Sequence, residues 1–142
     1  MACSGRGVRT RISDDRVWLP YVVTQYLEVT GDRGILEESS PFLEGPAIPE
    51  GREDAYFRPA VSATSASLFE HCARALDCSL SVGTHGLPLM GTGDWNDGMN
   101  RVGHEGKGES VWLAWFLHAT LRAFAPVAAL RHARARAEKW RR

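Results

Sequence analysis

The feature that most limits what this chain can fold into is a glycine-rich run between Ser81 and Gly108. Eight of the fourteen glycines lie there, at positions 83, 86, 91, 93, 98, 103, 106 and 108. A glycine in a helix interior costs roughly 0.5–1 kcal/mol relative to alanine, so no continuous helix is expected to cross this stretch. Its only Phe, Tyr or Trp is Trp95, at the centre of 91-GTGDWNDGMN-100. A solubilising loop gains nothing from that ring, and a core segment gains nothing from Asp94 and Asp97. A shaped loop that carries a site uses both.

On either side the apolar residues recur at helical spacing. Ser13 is placed to cap a helix with the stripe Trp18, Tyr21, Val22, Tyr26 and Val29, ending at Gly31, with Pro20 disturbing its start. A short helix is expected over 32–38. From Ser39 to Ala60 the prolines 41, 46, 49 and 59 interrupt any period, and a loop is expected. A further helix is expected from Ser62 or Thr64, with Leu68, Cys72, Ala75, Leu76 and Leu80 on one face. After the glycine run, Trp112, Trp115, Phe116 and Ala119 mark a helix to about Phe124, and Pro126 opens a last one toward Trp140. β-Branched residues nowhere alternate over a useful length. The predicted class is all-α: about five helices with long loops.

The 142 residues, 44% of them hydrophobic, are the length of one domain. Seventeen basic residues balance seventeen acidic ones, so no net field draws the chain to nucleic acid or to an anionic membrane. The basic tail RHARARAEKWRR reads as a helix with one solvated face and one packed face, through Ala133, Ala137 and Trp140. Cys3, Cys72 and Cys78 contain no C-x-x-C pair, which points to reduced thiols in a cytoplasmic setting. His71 and Cys72 adjoin without further ligands at metal-site spacing, so they read as packing residues and no metal is expected. No segment is expected to cross a bilayer, and no secretory signal is visible.

Three readings of GTGDWNDGMN compete on chemical grounds. Asp94 and Asn96 can serve as turn formers around a tucked-in Trp95. Asp94, Asn96 and Glu105 fall at positions 1, 3 and 12 of a calcium loop, but position 6 is Met99 rather than glycine and position 5 is Gly98. The third reading is a sugar site: Trp95 covers the apolar face of a pyranose, the carboxylates and the Asn96 amide take its hydroxyls, and one carboxylic acid protonates the glycosidic oxygen.

The runs 5-GRGVRTRISDDRVWLPY-21, 41-PFLEGPAIPEGREDAYF-57, 66-ASLFEHCARALD-77 and 86-GLPLMGTGDWNDGMNRVGHEGKGESVWLAWFLHA-119 resemble glycoside hydrolase family 94. That family holds the cellobiose and chitobiose phosphorylases, and the runs are most similar to the phosphorylase module of cyclic β-1,2-glucan synthases. Gly98 stands where cellobiose phosphorylases tend to carry a cysteine. The resemblance implies a slice of an (α/α)6 barrel and an inverting phosphorolysis of a β-linked glucan, with β-1,2 linkages the expected type. Inorganic phosphate is the co-substrate and no other cofactor is needed.

By motif position, the resemblance puts the general acid on Asp97 and a sugar-lining role on Trp95. It matches Arg9 and Asp15 to a pair that contacts the same sugar, with Arg11 and Asp14 as the alternative register, and it leaves Asp94 as support for the Asp97 loop. It further implies that Asp97 is buried beside Trp95 and another carboxylate. The family's phosphate-holding histidine and threonine lie far downstream of DWND, so residues 1–142 are expected to be a partial catalytic domain. Its parent is then a cytoplasmic phosphorylase or a membrane-embedded synthase with this domain on the cytoplasmic side. His104, His118 and His132 are expected to be ordinary packing or surface residues.

Overall fold

The computed structural model describes residues 5–141, apart from the side chain of Asp97. Among the described residues helix accounts for 48% and strand for 21%, so the fold is mixed α/β. The all-α expectation, and with it a purely helical barrel slice, is overturned by four strands. β1 (Gly7–Thr10) pairs antiparallel with β3 (Asp54–Phe57), and β2 (Ser39–Glu44) pairs antiparallel with β4 (Ala60–Ser67). Arg58 and Pro59 join β3 to β4, so one extended run changes partner where proline cannot donate to a ladder.

The reason these strands escape a periodicity reading is their setting. Each sheet has two strands, and most of their residues are exposed or half-buried. Alternation is the imprint of one buried face, and a ribbon without one leaves little pattern. The expected loop over 39–60 is thus half strand, and the helix expected from Ser62 or Thr64 begins at Leu68.

Five α-helices are found among the described residues. α1 (Asp15–Thr30) is followed by a 3₁₀ helix over Arg33–Glu37, whose N-cap Asp32 accepts from the Gly34 amide. α2 (Leu68–Asp77) is capped by the Ser67 hydroxyl, which accepts from the Glu70 amide at 3.3 Å. The short α3 (Asn100–Gly103) ends the site loop. α4 (Val111–Leu130) runs through Pro126, and α5 (Arg134–Arg141) follows a turn in which His132 has a φ of 61°. Pro126 therefore sits inside a helix and does not begin one.

The core lies between α1, α2, α4 and α5. Phe124 of α4 is fully buried, stacked on Phe69 of α2 at 5.9 Å and packed against Trp140 of α5 at 5.9 Å. α5 is latched to α2 by polar side chains: Arg136 bonds Glu70 and Asp77, and the Trp140 indole donates to Asp77. The Arg136 guanidinium holds the Glu70 carboxyl down at about 2. The tail thus has the packed face its alanine spacing predicts, through Ala137 and Trp140, and part of its charge is spent on α2.

α1 buries Val17, Pro20, Val23 and Thr24, whereas the predicted stripe is largely exposed at Trp18, Val22, Tyr26 and Val29. The helix is apolar on two faces, and periodicity alone does not say which one meets the core. α4 repeats the ambiguity: Leu113, Leu117, Thr120, Phe124 and Ala128 are buried, and Trp115 is 72% exposed. Contrary to the expectation that no segment is long and apolar enough to cross a bilayer, α4 is both by length and composition, with a third of that span buried inside the molecule. His71 and Cys72 diverge, His71 toward the Ser40 carbonyl and the Phe42 ring and Cys72 into the core, where burial pushes its thiol up to about 12.

Replacing Phe124 with Ala removes the ring that links three helices. Cavities of this kind cost about 3–5 kcal/mol, so urea unfolding of Phe124→Ala is expected to show an unfolding free energy lowered by that amount, read as a lower midpoint with an unchanged slope.

Candidate functional site

The site loop is assembled by backbone contacts that only glycine permits. Gly91 adopts a φ of 66°, and a side chain there would collide with the Arg11 carbonyl; a Cβ on Gly103 would in turn collide with the Gly91 carbonyl. The 103 end of the loop is therefore pressed onto its 91 end, and that end onto the segment before α1. The same seam is hydrogen-bonded. Thr92 donates its amide to the Arg11 carbonyl at 3.1 Å, and Ser13 gives both its amide (3.0 Å) and its hydroxyl (3.1 Å) to the Gly93 carbonyl. Ser13, expected as a helix cap, is a stitch between loop and helix, and Asp14 takes the N-cap position without a side-chain cap bond.

Asp94 is 5% exposed and spends both oxygens internally. One accepts from the Asn96 amide at 3.0 Å and the other from the Ser110 hydroxyl at 2.6 Å. Ser110, itself 3% exposed, accepts from the Leu113 amide at 2.9 Å and so caps α4. Asn96 accepts from the Gly98 amide at 3.2 Å and caps the 3₁₀ turn Asp97–Met99. The side chains of Asp94 and Asn96 thus both bond backbone amides of the loop on which Asp97 stands. Of the positions named in the calcium reading, Asp94 is buried with both oxygens hydrogen-bonded, and Glu105 pairs with Lys107 at 3.3 Å.

Trp95 is 61% exposed and rests against Trp112 at 5.9 Å between centroids. Behind it the rings continue through Phe116, 5.2 Å from Trp112, to Trp18 of α1, 4.6 Å from Phe116. The Trp18 indole donates to Asp14 at 2.8 Å. Asp14 is 4% exposed, and burial pushes its carboxyl above the ordinary range, opposed by the Trp18 bond and reinforced by the negative charges of Asp15 and Asp94. Asp15 is exposed and accepts from the Thr10 hydroxyl at 2.9 Å. The expected burial of Asp97 beside Trp95 concerns a side chain outside the described residues.

The other predicted residues divide. Asp94, Trp95 and Asn96 share the loop, and the Ser13–Gly93 stitch brings Asp14 and Asp15 up to it. The Arg9 guanidinium is committed elsewhere, to the carbonyls of Gly45 and Pro46 and over the Phe57 ring at 5.2 Å. Two supporting residues emerge only in the fold. Ser110 precedes an apolar helix, which is a cap signal visible in sequence, but its bond to Asp94 spans sixteen residues. Glu109 folds back onto the loop before the site, accepting from the amides of His85 (3.0 Å) and Leu87 (2.9 Å) and from the His85 ring (2.9 Å).

Two measurements test this scaffold. Ser110→Ala leaves a buried carboxylate oxygen and a helix N-terminus without partners, a loss of about 2–3 kcal/mol, expected as a lowered thermal midpoint with an unchanged far-ultraviolet spectrum. The His85 amide, first among its donors, holds Glu109 at about 2 against an ordinary 4.5. A carboxyl whose folded value is depressed contributes stability above its unfolded value and loses it as pH falls through the folded one. Acid unfolding followed between pH 5 and pH 2 should therefore be less steep in Glu109→Gln than in the parent.

Residues 3–142 match the sequence model described as the glycosyl hydrolase 94 superfamily, catalytic domain. The chain is similar to the cyclic beta-(1,2)-glucan synthase NdvB of Rhizobium meliloti (strain 1021), with 53% identity over 96% of this chain and 5% of that protein. It is also similar to solabiose phosphorylase of Paenibacillus borealis, 36% identical over 82% of this chain and 13% of the relative. A third relative is 1,2-beta-oligoglucan phosphorylase of Listeria innocua serovar 6a, 30% identical over 80% and 10%. The chain spans about an eighth or less of the length of these relatives. With nearly every residue inside the matched region, the chain belongs to the glycosyl hydrolase 94 superfamily.

Proposed function

We propose that residues 1–142 supply the acid-bearing part of an inverting glycoside phosphorylase that acts on β-linked glucans, β-1,2 linkages first among them. The observation that carries this reading is the buried Asp94–Ser110 bond. It fixes the DWND loop to the start of α4 and leaves the exposed ring of Trp95 beside the backbone of Asp97. The relatives' names, a β-1,2-glucan synthase and a 1,2-β-oligoglucan phosphorylase, support the linkage.

In the proposed reaction the Asp97 carboxyl gives its proton to the glycosidic oxygen as the bond from that oxygen to the anomeric carbon breaks. A phosphate oxygen attacks the same carbon from the opposite face, forming α-glucose 1-phosphate and a glucan one residue shorter, and Asp97 regains its proton from solvent. Trp95 serves as the wall for the sugar's C–H face. Asp15 and Asn96 take hydroxyls, and Asp94 orients the loop. The assignment of Arg9 to the same sugar rests on motif position, since its guanidinium is here bound to Gly45 and Pro46.

A non-catalytic sugar-binding piece is the competing reading, favoured by the small share of the relatives' length that the chain covers. Incubation with β-1,2-linked gluco-oligosaccharide and phosphate, assayed for glucose 1-phosphate, separates the two. No product is expected from the 142 residues alone, and product is expected from the chain carried within a full-length catalytic domain. In that longer protein Asp97→Asn should lower turnover by roughly 100-fold or more, the usual contribution of general acid catalysis. Near-full activity would remove Asp97 from the role.

A further inference from the structure

Between the first strand and the end of the site loop lies a cleft of about 160 Å³, lined by Thr10, Ile12, Glu53, Asp54, Thr92 and Asn100. A cavity of about 150 Å³ accommodates one benzene molecule, so this volume is on the scale of one six-membered ring. Its walls come from the three segments that carry the proposed site. Thr10 bonds Asp15, Thr92 lies two residues before Asp94, and Asn100 opens the helical turn after Asp97. Glu53 reaches in from the connection between β2 and β3, and both its oxygens accept from the Asn100 amide nitrogen, at 3.1 and 3.3 Å. An exposed glutamate ordinarily samples many rotamers, and this contact across 47 residues holds one of them at the cleft.

We propose that Glu53 is a further sugar-binding residue, its carboxylate accepting from two adjacent hydroxyls of a β-linked glucosyl residue seated in this cleft, with Asn100 holding the carboxylate in place. The inference rests on reading the DWND loop as a glucan site. An ionised carboxylate offers about four acceptor positions on two oxygens, so the Asn100 bond leaves room for a vicinal diol. Hydroxyl–carboxylate bonds are among the stronger hydrogen bonds. Thr10, Thr92 and Asp54 add hydroxyl and carboxylate partners, and Ile12 gives the ring an apolar floor. A cleft with this lining suits a polyol better than an apolar ligand or an anion.

The test is a titration of the isotope-labelled 142-residue chain with a β-1,2-linked glucose disaccharide, followed by nuclear magnetic resonance. The readouts are the Trp95 indole N–H, the Asn100 carboxamide and the Thr92 amide. All three are expected to shift along one saturation curve. Glu53→Gln is expected to raise the dissociation constant at least about tenfold while leaving the ligand-free spectrum as in the parent. If Glu53→Gln perturbs that spectrum, Glu53→Asp, which keeps the charge and retracts it by one methylene, is expected to weaken binding in the same direction. A Trp95 shift without shifts at Asn100 and Thr92, or a Glu53 variant that titrates like the parent, overturns the inference and leaves the proposed function standing. No shift at any of the three overturns the sugar reading itself, and the role of Glu53 with it.

Discussion

The bond between Asp94 and Ser110 is the constraint on which the site depends. A carboxylate buried this deeply is tolerated only when its oxygens are filled. Here the Asn96 amide fills one and the Ser110 hydroxyl the other. Because the same hydroxyl accepts from Leu113, the carboxylate is in series with the N-terminus of α4, the helix that contributes Phe124 to the core. The DWND loop is thereby referenced to a helix that reaches into the buried core. Catalytic groups need placement to within a fraction of an ångström, and a loop with this much glycine gains that placement only from such an anchor.

Glycine has two opposed effects in this loop. It loosens the unfolded chain, which argues against order. In the fold it lets Gly91 approach Arg11 and lets Gly103 approach Gly91, contacts closed to any residue with a Cβ. The hydrogen bonds from Thr92 and Ser13 run along the same seam. Glu109 closes the far side by gathering the His85 and Leu87 amides beneath the start of α4. The loop is ordered from its two ends inward, and its middle is left to present Trp95 toward solvent.

How much of this was legible in sequence varies by element. The 3₁₀ turn after α1, the C-terminal helix with its Ala137 and Trp140 contacts, and the DWND loop as a shaped segment can all be read from local pattern, since caps, helical spacing and glycine density act over a few residues. The strands were not legible. β1 pairs with β3 and β2 with β4 over long separations, and neither ribbon buries a full face, so no alternation marks them. Ser13 has the residue type of a helix cap and is used instead to bind Gly93. The type of a residue limits the bonds it can make, and which one it makes depends on what the fold brings within reach.

The sequence by itself determined the family, through motifs whose residues are contiguous, and the chemistry available at 94–97: a ring, an amide and two acids on a backbone able to turn tightly. It also determined that α1 and α4 would be helices, because their apolar residues exceed what a solvated segment carries. Only the tertiary structure decided which face of each helix is buried, that Asp14 rather than Asp15 is enclosed beneath Trp18, and that Arg9 turns to Gly45 and Pro46. The physical reason is the same in each case. Two apolar faces, two adjacent carboxylates or the several acceptors open to one guanidinium are nearly equivalent in local energy, and the choice between them is made by the packing of segments distant in the chain.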